Sequence, residues 1–404
     1  MNKLLFFILI LSLFVSCSSD EQLTPIDVDV ASTNLYPYQK IIERANHYYG
    51  QLPGKTRSSM PYVISAEPIG YSNTRSDKKN VPVYYLVNYE NESGFVIVGA
   101  NDFADPMVAI SDEGNISMSD TIENKTLAAF INVITTPELN APIDTVTIPN
   151  PLPENVTVEP LLDARVRKWG QRAPFNSSIP FVFDGEKAPV GCHPLACAMY
   201  MSYFNHPSNH NGRTLNWNNI IKNYYDGDLA YILWDLGSEK NLNVQYTASG
   251  TGTYSSQLRQ TFENYNYSFP SSAIRLSSFD FSSKFKVMNQ LPMYIYGSGY
   301  YNDEPTGHAW IIDGVLHLQN PKDIITGDLA NEYYFHCVWG WYGKGNGYFK
   351  KDKVNKIGGE RYAPDGTDGT YPGIQDTNEV PTWDIMVTGL WGIRPVGAMI
   401  RPGL

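Results

Sequence analysis

The chain of 404 residues has no long run of basic residues, and its 30 Lys and Arg are outnumbered by 41 Asp and Glu, for a formal net charge of -11. Clustered cations are what neutralise phosphates, so nucleic acid is excluded as a partner class. No Cys, His and Asp residues gather at ligand spacing, so no metal or other cofactor is implied. After the first 15 residues no apolar stretch is long enough to cross a bilayer. No internal repeat has a solenoid period. What the chain does have is 42% hydrophobic residues, enough for real cores, and 28 Tyr, which suits an exported, strand-containing protein better than a helical bundle. Two or three domains are expected at this length.

The chain opens "MNKLLFFILILSLFVSCSSDEQ", with Lys3 before an apolar run at 4–15 that ends in Ser16-Cys17. Such a run is too short for a working membrane helix and has a small residue before the cut, the pattern of a targeting segment. A cysteine at the cut position resembles a bacterial lipoprotein signal. Residues 1–16 are then a removed signal peptide, and Cys17 is the lipidated first residue and sole membrane anchor of a cell-envelope protein. Phe14 departs from the usual Leu of that pattern, which leaves ordinary cleavage and secretion as the alternative. Three cysteines remain, Cys192, Cys197 and Cys337. An odd number in an exported chain means at least one free thiol. Cys192 and Cys197 are disfavoured as a pair, because residues five apart on one helix point about 140° away from each other. A Cys197–Cys337 bridge stays open, with Cys192 left over.

Two halves separate along the chain. In the first, "NLYPYQKIIERANHYYG" (34–50) has the spacing of an amphipathic helix, and residues 124–134 suggest another. Between them, Val-, Tyr- and Ile-rich runs flank "ENESG" in 81–103, a hairpin signal. Residues 137–160 are loaded with Pro and read as an exposed linker. In the second half a helix is expected over 194–206, with Pro194 suited to its first turn, and another over 255–266. Then come "LPMYIYGSG", "GHAWIIDGVLHL", "EYYFHCVWGWYGKGNGYFK" and "TWDIMVTGLWGIRP", strand-like runs punctuated by Gly and Asn. Helices first and antiparallel strands after make an α+β domain.

The stretch "PVGCHPLACAM" (189–199) puts Cys192 at a helix N-terminus. There the unpaired N–H groups and the helix dipole favour thiolate, and a partner histidine lowers the thiol pKa further, from about 8.5 to about 3–4. Of seven histidines, His47, His206 and His210 lie in polar surface-like contexts, His317 and His336 alternate with apolar residues in strands, and His193 adjoins the cysteine. His308 in "TGHAWIIDG" enters a buried-looking strand from a glycine turn. That setting can hold the ring rigidly while one face stays open.

A cysteine followed more than a hundred residues later by a histidine, on a helix-then-sheet scaffold, is the papain-like order. The chain resembles the streptopain family of bacterial cysteine peptidases, a papain-like branch made with an N-terminal propeptide. The likeness is carried by "LLDARVRKWGQRAPFN", "VGCHPLACAMYMSYFNHP", "TASGTGTYSSQLRQTFENYNYS", "GHAWIIDG", "FHCVWGWYGKGNGYF" (which resembles the family's Trp-Gly-Trp-Gly strand turn) and "LWGIRP". Upstream, "YYLVNYENESGFVIVGANDFADPMVAISDEGN" resembles the family's prodomain. The resemblance implies Cys192 as nucleophile, His308 as general base and acid, Gln171 as oxyanion-hole donor and Trp339 as the tryptophan that shields the pair from water.

The expected fold is α+β: a papain-like catalytic domain over 156–404, its helix-borne cysteine beside an antiparallel sheet, preceded by a small α+β prodomain over 22–155. The implied partners are peptide or protein substrates and the chain's own propeptide as an intramolecular inhibitor. Two departures stand out. His193 adds a titratable group beside the thiol, and Val338 takes the place of the family's Asn before the first Trp, so that the histidine must be oriented by a carbonyl or water. They motivate a rival reading, a catalytically silent surface lipoprotein that binds peptide in the same cleft.

Overall fold

The period-two alternation of apolar residues in the second half folds into antiparallel strands, and these join strands of the first half in one ten-stranded sheet. The computed structural model describes residues 35–55, 60–135 and 157–356, with short breaks of which the longest is 276–290, and the pieces 388–390 and 394–396. The leader with Cys17, nearly all of the 137–160 linker and the loop at 358–377 lie outside the described residues. In chain order the sheet strands are β1 (Val63–Asn73), β2 (Asn80–Tyr89), β3 (Phe95–Gly99), β4 (Met107–Ser111), β5 (Ile274–Arg275), β6 (Met293–Tyr301), β7 (Glu304–Leu318), β8 (Glu332–Val338), β9 (Gly347–Lys350) and β10 (Thr388–Leu390). The helices are α1 (Tyr38–Tyr49), α2 (Lys125–Thr135), α3 (Cys192–Phe204), α4 (Trp217–Lys222), α5 (Asp228–Gly237), α6 (Leu258–Asn264) and α7 (Lys351–Lys356).

The strand order is β1-β2-β3-β4-β9-β8-β7-β6-β10-β5. Strands from before residue 136 thus meet strands from after residue 157 at one seam, where Ile110 and Ala109 of β4 pair with Tyr348 and Phe349 of β9. Alternation along β7 divides the core. Trp310 and Ile312 pack with Leu127 and Phe130 of α2 and Val354 of α7, while Ala309 and Ile311 pack on α3. A third cluster seats Ile41, Ala45 and Tyr48 of α1 on Val87, Val96 and Val98. Full burial of one such side chain contributes about 1.5–3 kcal/mol. The α+β class with an antiparallel sheet is therefore as expected from the sequence. The helix expected over 194–206 begins two residues earlier than its periodicity suggested, at Cys192.

Ion pairs cross between the two halves. Asp105, Glu113 and Asp120 of the first half face Lys350 and Lys353, Arg167, and Lys344 of the second. One pair runs the other way and is fully buried: Arg44 of α1 gives Asp323 a bidentate grip at 3.0 and 2.7 Å and donates to the Gly99 carbonyl at 2.9 Å. The Asp323 carboxylate also accepts from the Tyr48 hydroxyl and from the backbone N–H groups of Ile325 and Thr326. Burial alone would raise its pKa, but the Arg44 and backbone hydrogen bonds outweigh it and hold the group at about 2. A carboxylate depressed in the folded state stabilises it fully above its unfolded value, near 4, and loses that contribution as pH falls through about 2. Mild acidification to pH 4–5 therefore leaves this tie intact. Arg44→Met, which strands Asp323 without its cation, is expected to destabilise the intact chain by about 3–5 kcal/mol in urea unfolding. A loss under about 1 kcal/mol would mean that the buried pair is energetically idle.

Candidate active site

Gly191 precedes α3 at φ 96°, ψ 149°, a backbone region that side chains rarely enter, and a Cβ there would stand 2.9 Å from Thr251 Oγ1. This turn delivers Cys192 as the first residue of α3, where free N–H groups collect. The Cys192 sulfur lies against the backbone N–H groups of Ala309, His193 and Cys192 itself. Those donors pull its pKa down, but burial is the larger effect and leaves the thiol above its ordinary value. The thiolate expected from the helix N-terminus is thus not the resting form of this conformation. Loss of water around the sulfur outweighs the three backbone donors.

His308 stands on β7 opposite Gly297 of β6 and immediately before Ala309. Its Nε2 is 2.8 Å from the Trp339 carbonyl. A carbonyl can only accept, so Nε2 carries the hydrogen and Nδ1 keeps its lone pair. Burial pushes the His308 pKa down to about 4, partly offset by the Trp339 carbonyl, so the ring is neutral at pH 7. No hydrogen bond joins His308 to Cys192 among the described residues; the Cys192 sulfur meets the backbone N–H of Ala309, the residue after His308. The Trp339 carbonyl occupies the orienting role that the sequence left open at Val338, whose own side chain is buried against α3.

Trp339 itself lies in the core, its ring 5.1 Å from that of Phe349 and its Nε1 bonded to the Gly345 carbonyl at 2.8 Å. The rings nearly parallel to His308 are those of Trp310, at 6.1 Å and 12°, and Trp341, at 6.3 Å and 19°. Trp341 was not singled out from sequence; its signal was its place two residues after Trp339 in the turn between β8 and β9. Buried Asn346 closes that turn, accepting from the Trp339 N–H at 3.1 Å and donating to the Arg167 carbonyl at 2.8 Å. Residues of the first half brace it from outside: Ile116 and Leu127 approach Gly345, and Asp120 pairs with Lys344.

Gln171 is buried, and its carbonyl accepts from the Val190 N–H at 2.8 Å, two residues before the cysteine. Its side-chain amide makes no hydrogen bond among the described residues. His193 is buried, with its Nδ1 2.6 Å from the Tyr294 hydroxyl. Burial and the neighbouring His308 hold it near 3, so it does not compete for the thiol proton at neutral pH. Tyr294 also bonds Cys197. All three described cysteines are free. Cys197 packs on the α3 side of the sheet and Cys337 on the other, which removes the bridge that the sequence left open. No group of metal-ligating side chains occurs among the described residues.

Comparison with known proteins matches residues 169–349 to the Peptidase C10 family and residues 40–136 to the Spi protease inhibitor family. Streptopain of Streptococcus pyogenes is 25% identical over 319 residues, covering 67% of this chain and 74% of that protein. A thiol protease/hemagglutinin of Porphyromonas gingivalis is 22% identical over 327 residues, 70% of this chain and 35% of that one. Among solved structures, a fragment of Prevotella intermedia prointerpain A superposes with a TM-score of 0.50 at 20% identity, covering 72% of this chain and 93% of that chain. The cysteine-led helix beside a histidine-bearing strand and the two family matches agree: the chain carries a cysteine-peptidase domain of the Peptidase C10, or streptopain, family at residues 169–349, with a Spi-type inhibitor domain ahead of it at 40–136.

Proposed function

We propose that the chain is an exported zymogen of a cysteine endopeptidase. Residues 1–16 are its signal peptide, lipidated Cys17 anchors it in the cell envelope, residues 22–155 are the inhibitory prodomain and residues 156–404 the catalytic domain. No helix among the described residues is long and apolar enough to span a membrane. The observation that carries the reading is the 2.8 Å contact between His308 Nε2 and the Trp339 carbonyl, which calls for a hydrogen on Nε2. With Nε2–H spent on the Trp339 carbonyl, Nδ1 is left as the acceptor for the thiol of Cys192. In turnover His308 takes that proton, the sulfur attacks the scissile carbonyl, and the oxyanion is held by the Cys192 N–H and the Gln171 amide. The protonated His308 then gives its proton to the leaving amine, and water, activated by the same ring, hydrolyses the thioester.

The intact chain rests with a protonated thiol and a neutral imidazole, and first-half residues brace the turn that carries Trp339. That combination supports latency while the prodomain is docked. Iodoacetamide labelling at pH 7, mapped to Cys192 by mass spectrometry, tests it. Labelling is expected to be at least about tenfold faster in the processed enzyme than in the full chain, since each unit of thiol pKa changes the thiolate fraction about tenfold. Equal rates in the two forms would overturn the latent-thiol account.

A further inference from the structure

Gln171 carries an unbonded amide, and something must hold it still. The peptide unit linking Gln171 to Arg172 is held at both ends. Its carbonyl accepts from Val190, two residues before Cys192, at 2.8 Å. Its N–H, that of Arg172, donates to the Tyr342 hydroxyl at 2.8 Å. Because the peptide unit is planar, two bonds at opposite ends fix its tilt and with it the origin of the Gln171 side chain.

Tyr342 is an unexpected residue for its position. Its φ is +61°, a left-handed conformation that aromatic residues rarely adopt, at the fourth place of the Trp-Gly-Trp-Gly pattern. Such strain persists where the surroundings over-determine it. Here the Tyr342 N–H donates to the Trp169 carbonyl at 3.1 Å. Its ring lies so close over Gly170 that a Cβ on that glycine would come within 2.5 Å of it. The same ring stands 5.9 Å from that of Phe175. Tyr342 therefore grips residues 169–172 by main chain, ring and hydroxyl, from the same turn whose Trp339 carbonyl holds His308.

We infer that Tyr342 is a positioning residue for peptide hydrolysis: its hydroxyl fixes the Gln171–Arg172 peptide and so aims the Gln171 amide at the developing oxyanion, coupling the oxyanion hole to the turn that orients His308. The inference rests on the oxyanion role proposed for Gln171. A donor acts on the transition state only if it is aimed there beforehand, and small misplacements are costly in rate.

The test is a double-mutant cycle on enzyme matured from the full chain, with one unstructured peptide as substrate. Tyr342→Phe keeps the ring and removes the hydroxyl that accepts from the Arg172 N–H. It is expected to lower kcat about three- to tenfold, the factor that one neutral hydrogen bond corresponds to, with KM unchanged within about twofold. In a Gln171→Ala background the same substitution is expected to change kcat by less than about 1.5-fold, because the group it aims is gone. A purely structural tyrosine would lower activity equally in both backgrounds, and that result overturns the inference. So does unchanged kcat in Tyr342→Phe alone. Unaltered hydrolysis in Gln171→Ala alone would remove the oxyanion assignment itself, and the positioning role with it.

Discussion

Cys192→Ala is expected to lower peptide hydrolysis by roughly a millionfold, the scale on which removal of a nucleophile acts in acyl-transfer enzymes. The substitution deletes one sulfur atom at a half-buried helix start, so the fold should persist and the loss should be chemical. If the zymogen cuts itself, the same variant accumulates as full-length chain under conditions in which the wild type is shortened. Electrophoresis over a time course reads the accumulation, and N-terminal sequencing of the wild-type product is expected to place the mature end between roughly 140 and 165, in the Pro-rich connection. Normal shortening of the variant would show that another protease does the cutting. Retained hydrolysis would remove Cys192 from the mechanism.

Gln171→Ala is expected to lower turnover by about a hundred- to a thousandfold while peptide affinity changes little. The amide donates to charge that exists only after the thiolate has attacked, so its contribution appears in the transition state and not in the bound substrate. A silent peptide-binding protein would behave differently: the same amide would grip a ground-state carbonyl, and its loss would weaken binding by about 0.5–1.5 kcal/mol with no turnover to lose. Measuring hydrolysis and binding of one unstructured peptide, in wild type and variant, separates the two. Wild-type turnover in Gln171→Ala would end the oxyanion role.

The sequence disclosed elements whose pattern was local and strong. The helices at Tyr38–Tyr49 and Lys125–Thr135 and the hairpin around Glu90–Glu92 follow from apolar spacing and turn chemistry. β1 was harder to see, because Pro68 and Gly70 interrupt its run. It forms all the same as an edge strand, where a missing N–H is tolerated. Helix α5 has Leu229, Ile232, Leu233 and Leu236 at helical spacing, a signal that was present and went unread. At the site, Cys192, His308 and Gln171 were legible as motifs, each beside a glycine. The carbonyl that orients His308 was not, since every residue has a carbonyl and only the folded turn decides which one faces the ring. Nor could the raised thiol pKa be foreseen, because a helix N-terminus is visible in sequence and the burial of one sulfur is not.

Cutting the connection at 137–160 breaks none of the strand pairing between β4 and β9 and none of the ion pairs across it. While the chain is continuous, the inhibitor domain meets the peptidase at an effective concentration of about a millimolar, set by the tether and independent of how much protein is present. After the cut the same two surfaces obey ordinary mass action. If their dissociation constant is about nanomolar, a micromolar solution of nicked protein stays almost wholly associated, and release follows only on dilution or on destruction of the freed fragment. The onset of activity would then depend on the amount of protein present, with a lag that lengthens as its concentration rises.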